Sequence, residues 1–192
     1  IISSDIGNNC AIGNAYPTFE ETRKYLAPGL FGPCGYGLPS VIGAKIGRPD
    51  VPVVGFSGDG AFGIAVNELT AIGREEWPAV TQIVFRNYQW GAEKRNSTLW
   101  YDDNFVGTEL DTQVSYAGIA KACGLQGVVA KTMDELTEAL HTAIKDQMEN
   151  GKTTLIEAMI NQELGEPFRR DAMKKPVAIA GISVSDMQEQ AV

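Results

Sequence analysis

The chain has 192 residues, 44% apolar and 21% charged, a balance that fits a soluble globular protein with room for one α/β domain and its core. Its net charge of −8, from 16 basic and 24 acidic residues, argues against a nucleic-acid-binding face but leaves room for a local pocket that takes an anionic small ligand. No stretch approaches the roughly 20 apolar residues of a membrane span.

Taken in order, the sequence opens Ile1-Ile2-Ser3-Ser4, without an initiator Met, and is expected to be a piece of a longer polypeptide. Glycine is dense between Gly29 and Gly63. Val51–Ser57, apolar and β-branched, is predicted as a buried strand, followed by a helical period over Phe62–Arg74. A second strand is predicted over Val80–Phe85. Tyr116–Cys123 is a short predicted helix, Gly127–Lys131 a strand, Met133–Met148 an amphipathic helix and Thr153–Met159 a last strand. Strands alternating with helices predict a doubly wound, mainly parallel sheet with helices on both faces, whose strands should be continuously apolar. Beyond Glu163 the periodicity stops. Residues 1–165 are therefore expected to form the domain, and 166–192 a C-terminal extension laid over it.

Cys10, Cys34 and Cys123 form no CxxC pair and are expected to be free thiols of a reducing cytoplasm rather than zinc ligands. The single His141 lies in the amphipathic stretch, which leaves no basis for a His-based triad or a His-rich metal site.

The sharpest local signal is Gly58-Asp59-Gly60-Ala61-Phe62-Gly63, which follows a strand and opens a helix. Glycines let backbone N–H groups approach a phosphate closely, and a helix N-terminus adds positive potential. The spacing is formally GxGxxG, and Arg86 ends the next strand where an NADP-selective residue could sit. A structural glycine turn is the plain alternative. Asp59 inside the loop favours a third reading. A carboxylate beside a pyrophosphate repels it unless a cation lies between, and Asn87, at the end of the neighbouring strand, offers an amide oxygen to such a cation. Asp59, Asn87, one backbone carbonyl, two phosphate oxygens and a water would complete the octahedral shell that Mg²⁺ requires.

Gly58-Asp59-Gly60, followed by 26 residues and Asn87, resembles the signature of thiamine-diphosphate (ThDP) enzymes, whose Asn pair is here Arg86-Asn87. The resemblance implies Asp59, Asn87 and the Gln89 carbonyl as Mg²⁺ ligands, with the Gly60 and Ala61 amides facing the diphosphate. Gly32-Pro33-Cys34-Gly35-Tyr36-Gly37-Leu38-Pro39-Ser40 is similar to the GxMGxGLPxA segment of acetolactate-synthase-like members. It implies that the Gly32 carbonyl receives the aminopyrimidine amine and that Cys34 stands where the family's Met props the cofactor. Residues 91–108 and the tail 166–176 resemble the sulfoacetaldehyde acetyltransferase family.

That likeness implies conversion of sulfoacetaldehyde and phosphate to acetyl phosphate and sulfite. It also implies a separate pyrimidine-binding domain, on this or a partner subunit of a homo-oligomer, that carries the activating Glu. Glu68 is read as structural. Both substrates are anions, so Lys94, Arg95, Asn96 and Ser97 after the metal strand, and Arg169 and Arg170 as a lid, are candidate contacts. Trp90 and Trp100 shape the pocket or pack the core. An acetolactate synthase, a 2-oxo acid decarboxylase, an NADP-dependent oxidoreductase and a non-catalytic cofactor-binding module are the competing readings.

Overall fold

The computed structural model describes residues 1–74 and 76–163. Six strands form one sheet: β1 (Ile2–Ser4), β2 (Tyr25–Leu26), β3 (Val54–Gly58), β4 (Thr81–Arg86), β5 (Gln126–Ala130) and β6 (Thr154–Met159). Every pairing is parallel, in the order β2-β1-β3-β4-β6-β5. The helices are α1 (Asn8–Ala15), α2 (Gly37–Gly47), α3 (Asp59–Ile64), α4 (Leu69–Ile72), α5 (Gly91–Trp100), α6 (Tyr116–Ala122) and α7 (Met133–Glu149).

The two faces of the sheet bury separate cores, as period-2 alternation requires. On one, Val80, Val84 and Leu155 pack against Leu38 and Val41 of α2, Phe62 of α3, Leu69 of α4 and Ala120 of α6. On the other, Ile83 and Ile156 meet Leu136, Ala139 and Ala143 of α7, with Phe56 and Phe85 alongside. The doubly wound architecture is thus as expected from the alternating pattern.

Three sequence expectations change. The strand expected from Val51 begins at Val54, because Pro52 has no N–H to give and the Val53 N–H is taken by the Gln147 side chain of α7 at 2.8 Å. The helix expected over Phe62–Arg74 starts at Asp59 and is broken into α3, a 3-10 turn at Val66–Glu68 and α4. Ala65 leaves helical geometry (φ −104, ψ 10), and Gly63 turns beneath the Tyr116 hydroxyl, where an added Cβ would lie at 2.8 Å. The strands are also not continuously apolar: Gln82 and Arg86 of β4 and Glu157 of β6 are buried, and the edge strand β5 leaves Val128 and Val129 exposed. Four elements, β1, α1, β2 and α2, lie before residue 50, where the sequence reading placed none.

The chain leaves β1 towards β2 on one side and returns to β3 on the other. This makes a switch point between β1 and β3, the place where open α/β sheets collect ligands beyond their strand ends. No helix among the described residues is long and apolar enough to cross a membrane.

Candidate functional site

Three strand ends converge at that switch point. β1 leads into Ile6, Gly7 and the start of α1, β3 into Gly58–Ala61, and β4 into Asn87–Gln89. Together with Phe56, Ile83, Phe85 and residues 91–93 and 95 of α5 they line a cleft of about 900 Å³. That volume lies in the range of sites that enclose a cofactor-sized molecule.

Asp59 is the first residue of α3 and is 1% exposed. Its Oδ2 accepts from Arg86 Nη1 (3.1 Å), the Asn87 N–H (3.1 Å) and the Tyr88 N–H (2.7 Å). Its Oδ1 accepts from the Gly60 N–H at 3.0 Å. Tyr88 adopts φ 61, a conformation that costs a non-glycine residue about 1–3 kcal/mol and turns its N–H back onto the carboxylate. Burial pushes the Asp59 carboxyl above its ordinary range, while the Tyr88 N–H and the Arg86 charge pull the other way.

The Asn87 amide can be turned either way. With its NH₂ inward it donates to the Gln89 carbonyl at 3.1 Å and to Asp59 Oδ1 at 3.2 Å. With its oxygen inward, which also accepts a long 3.4 Å bond from the Gln89 N–H, three oxygens face one locus. Such a cluster calls for a cation. Ligands about 2.1 Å from an octahedral Mg²⁺ lie about 3 Å apart, a spacing that the 3.1 and 3.2 Å separations accommodate as readily as they do the hydrogen bonds of the turned amide. The donor set of one carboxylate, one amide and one peptide carbonyl is hard-oxygen chemistry, and it fits Mg²⁺. Among the described residues no group of three or more His, Cys, Asp or Glu could hold a metal in another way.

Arg86 is 1% exposed, and both of its Nη atoms are hydrogen-bonded while Nε has no hydrogen-bond partner. Nη2 donates to the Asp111 and Val114 carbonyls at 2.5 and 3.0 Å, Nε lies 3.6 Å from Glu157, and the guanidinium stands 4.2 Å from the Tyr88 ring centroid. It cannot reach a ribose phosphate, so the NADP-selective role considered for it is excluded.

At the neighbouring strand end Asp5, also fully buried, accepts from the N–H groups of Ile6 (2.8 Å), Gly35 (3.1 Å) and Gly37 (2.9 Å). It staples the loop carrying Cys34 to β1. The sequence reading missed Asp5, Gly7 and the start of α1. The signal was present, since Ser4-Asp5-Ile6-Gly7 has, like Ser57-Gly58-Asp59-Gly60, an acid followed within two residues by a glycine after a β-branched or small-residue strand.

A family model described as "Thiamine pyrophosphate enzyme, C-terminal TPP binding domain" matches residues 5–158. The chain belongs to this family. Its cofactor, thiamine pyrophosphate, is ThDP under its other name. The TPP-binding domain is 86% identical over 192 residues to a sulfoacetaldehyde acetyltransferase of Roseovarius nubinhibens, covering all of this chain and 32% of that protein. It is 80% identical over 190 residues to one of Rhodobacter capsulatus, covering 99% of this chain and 32% of the relative. An acetolactate synthase large subunit of Corynebacterium glutamicum is 29% identical over 190 residues, covering 98% of this chain and 29% of that protein. The chain thus spans about a third of the length of these curated relatives.

Within the TPP-binding domain, Gly58, Asp59, Gly60, Ala61, Asn87 and Gln89 come together in the cleft. Gly60 also serves packing, because a Cβ there would meet the Trp90 indole at 2.7 Å. Gly32 and Cys34 do not line the cleft, although Gly32 (φ 59) packs on Ile6, which does. Cys34 is exposed, with its thiol pushed up by partial desolvation and by the charges of Asp5 and Glu93. Of the anion candidates, Arg95 lines the cleft. Lys94 instead turns its ammonium to Glu109, to Gln89 Oε1 at 3.1 Å and over the Phe105 ring. Asn96 is exposed, and Ser97 donates to the Glu93 carbonyl at 3.1 Å. Trp100 is 61% exposed, Glu68 lies in the 3-10 turn, and His141 is exposed on α7. Arg169 and Arg170, and the whole extension 166–192, lie outside the described residues.

Proposed function

We propose that the full-length protein is a ThDP-dependent acetyltransferase that converts sulfoacetaldehyde and phosphate to acetyl phosphate and sulfite, and that this domain anchors the cofactor diphosphate through Mg²⁺. The observation that carries the anchoring role is the meeting of Asp59 Oδ1, the Asn87 amide and the Gln89 carbonyl at one point of the cleft. Charge supports it as well. The charged residues lining the cleft are Asp59, Glu93 and Glu163 against Arg95, an acidic balance that admits a diphosphate only with a cation. The substrate reading is supported by the identity to the acetyltransferases named above over the whole chain.

Bound ThDP supplies an electron sink for the carbon chemistry. The residues of this chain hold and orient. Asp59, Asn87 and the Gln89 carbonyl fix the cation, and Gly58 leaves room for a phosphate beside it. Phe56, Ile83 and Phe85 form an apolar wall that keeps water off the reacting end, where electrostatic contacts are then stronger. Arg95 offers a forked donor to a sulfonate or phosphate oxygen. The site is completed by a pyrimidine-binding domain outside this chain, on the same or a partner subunit of a homo-oligomer, which also carries the activating Glu.

The test is product analysis with full-length protein, Mg²⁺, ThDP, phosphate and sulfoacetaldehyde. Sulfite and acetyl phosphate in equal amounts are expected. Carbon dioxide from pyruvate, without sulfite release, would replace this reading with an acetolactate-synthase-like or decarboxylase activity. In the same assay Arg95→Ala is expected to raise the KM for an anionic substrate about tenfold or more, the cost of one charge-assisted hydrogen bond. An unchanged KM for both substrates would remove Arg95 from the site.

A further inference from the structure

We infer that Arg86 is a positioning residue that sets metal selectivity: it locks Asp59 so that a single carboxylate oxygen faces the cleft, which favours Mg²⁺ over Ca²⁺. The inference rests on the reading of Asp59 as a cation ligand and goes beyond it, because it concerns a residue that touches neither metal nor cofactor.

The argument starts from the two oxygens of Asp59. Oδ2 already accepts three N–H groups, from Arg86, Asn87 and Tyr88. A carboxylate oxygen offers about two lone-pair directions, so Oδ2 is saturated. Oδ1 accepts one protein bond, from Gly60, and lies beside the Asn87 amide. The carboxylate can therefore give a cation one oxygen, and giving two requires it to rotate away from Arg86.

Arg86 cannot follow such a rotation. The far side of its guanidinium is pinned by the Asp111 and Val114 carbonyls, its Nε lies towards Glu157, and its Cζ lies over the Tyr88 and Tyr116 rings, 4.2 and 5.1 Å from their centroids. Rotation would break a buried ion pair and leave the arginine's charge facing no carboxylate on the cleft side. Its positive charge also repels a divalent ion approaching Oδ2.

The two ions differ in what they ask of a carboxylate. Mg²⁺ is satisfied by single oxygens at octahedral corners, near 2.1 Å. Ca²⁺ takes about 6–8 oxygens at longer distances and commonly draws both oxygens of one carboxylate. A carboxylate held to one available oxygen penalises Ca²⁺ more than Mg²⁺. Lysine at position 86 would keep a charge but not the lock, because one ammonium cannot address Asp59, the 111–114 carbonyls and Glu157 together.

The experiment uses full-length protein freed of metal by chelation. Mg²⁺ and Ca²⁺ are titrated separately at saturating ThDP, and binding is followed by calorimetry. Two variants guard against misfolding. Arg86→Lys keeps a buried cation between the two acids, and Arg86→Gln combined with Glu157→Gln removes one acid and one base together. In whichever variant folds, the preference for Mg²⁺ over Ca²⁺ is expected to narrow about tenfold, mainly through tighter Ca²⁺ binding. A proportional loss of affinity for both ions, which is what a purely structural role gives, would overturn the inference, and so would an unchanged ratio. Asp59→Asn separates the two levels of the reading. If it leaves Mg²⁺ binding intact, Asp59 is not the ligand; if it abolishes binding while the ratio in the Arg86 variants stays fixed, only the role of Arg86 fails.

Discussion

Asp59→Asn is expected to weaken Mg²⁺-dependent ThDP binding by the full-length protein about 100-fold or more, and to lower thermal stability as well, because the buried Arg86 loses the charge of its cleft-side partner. The substitution keeps the shape of the side chain. Its remaining oxygen can still accept from the Asn87 and Tyr88 N–H groups, and Arg86 keeps the Asp111 and Val114 carbonyls and Glu157. What is lost is the one anionic oxygen facing the cation. Changes one shell further out typically cost a metal site 10–100-fold, so removal of the charged ligand itself should cost at least the upper end of that range. Alanine at 59 is a poorer probe, since it would leave the buried Arg86 without any cleft-side partner and mix a larger stability loss into the binding loss. Titration of ThDP at fixed Mg²⁺ reads the effect, and an affinity within threefold of wild type would remove Asp59 from the cation site.

The second large effect separates two glycines that look equivalent in the sequence. Gly60→Ala is expected to destabilise the fold by about 1–3 kcal/mol, because its methyl would enter the Trp90 ring at 2.7–2.9 Å and push away the residue just before α5. Gly58→Ala should fold normally. Its backbone (φ −71, ψ 157) suits any residue, and the only neighbour of an added Cβ is Asn9 Oδ1 at an ordinary 3.5 Å. That methyl would stand in the cleft, in the space assigned to the diphosphate, and should lower ThDP affinity tenfold or more at unchanged melting temperature. Thermal melts and cofactor titrations of the two variants distinguish packing from binding. Equal melting temperatures for both would contradict the packing role of Gly60, and undiminished ThDP affinity in Gly58→Ala would contradict the placement of the diphosphate.

The parts of the fold that were legible in the sequence are those where apolar period and chain direction agree. β4, β6 and α7 stand within a residue or so of their expected limits, because a mostly apolar, β-branched run or a clean helical stripe leaves little competition. The stretch before residue 50 was not legible. α2 contains Gly37, Gly43 and Gly47 within eleven residues, and α1 carries Gly13, which sits directly against Phe56 and the Tyr25 hydroxyl. All of them read as turns, yet Gly13 and Gly37 serve close helix–sheet packing, Gly37 against Asp5 and Ser57, which local composition does not encode. The cation site is a proposal that the sequence already suggested, because Asp inside a glycine loop is electrostatically odd beside a phosphate and so points to a metal. The role of Arg86 was not. At the end of a strand an arginine suggests a ligand, and only the three-dimensional placement of Asp59, Glu157 and the 111–114 loop around it shows that its charge is spent inside the protein. Lys94 and Arg95 make the same point side by side. Adjacent residues on α5 diverge by about 100° around the helix, so one reaches the cleft and the other Glu109.

The central claim is that this domain holds ThDP through a cation at Asp59, Asn87 and Gln89. The most direct measurement is calorimetric titration of ThDP into the full-length protein, first with Mg²⁺ and then with EDTA in its place. Saturable binding with Mg²⁺ that disappears in EDTA, and that Asn87→Ala weakens strongly, is the expected result. Binding of equal strength under both conditions, or none under either, would contradict it.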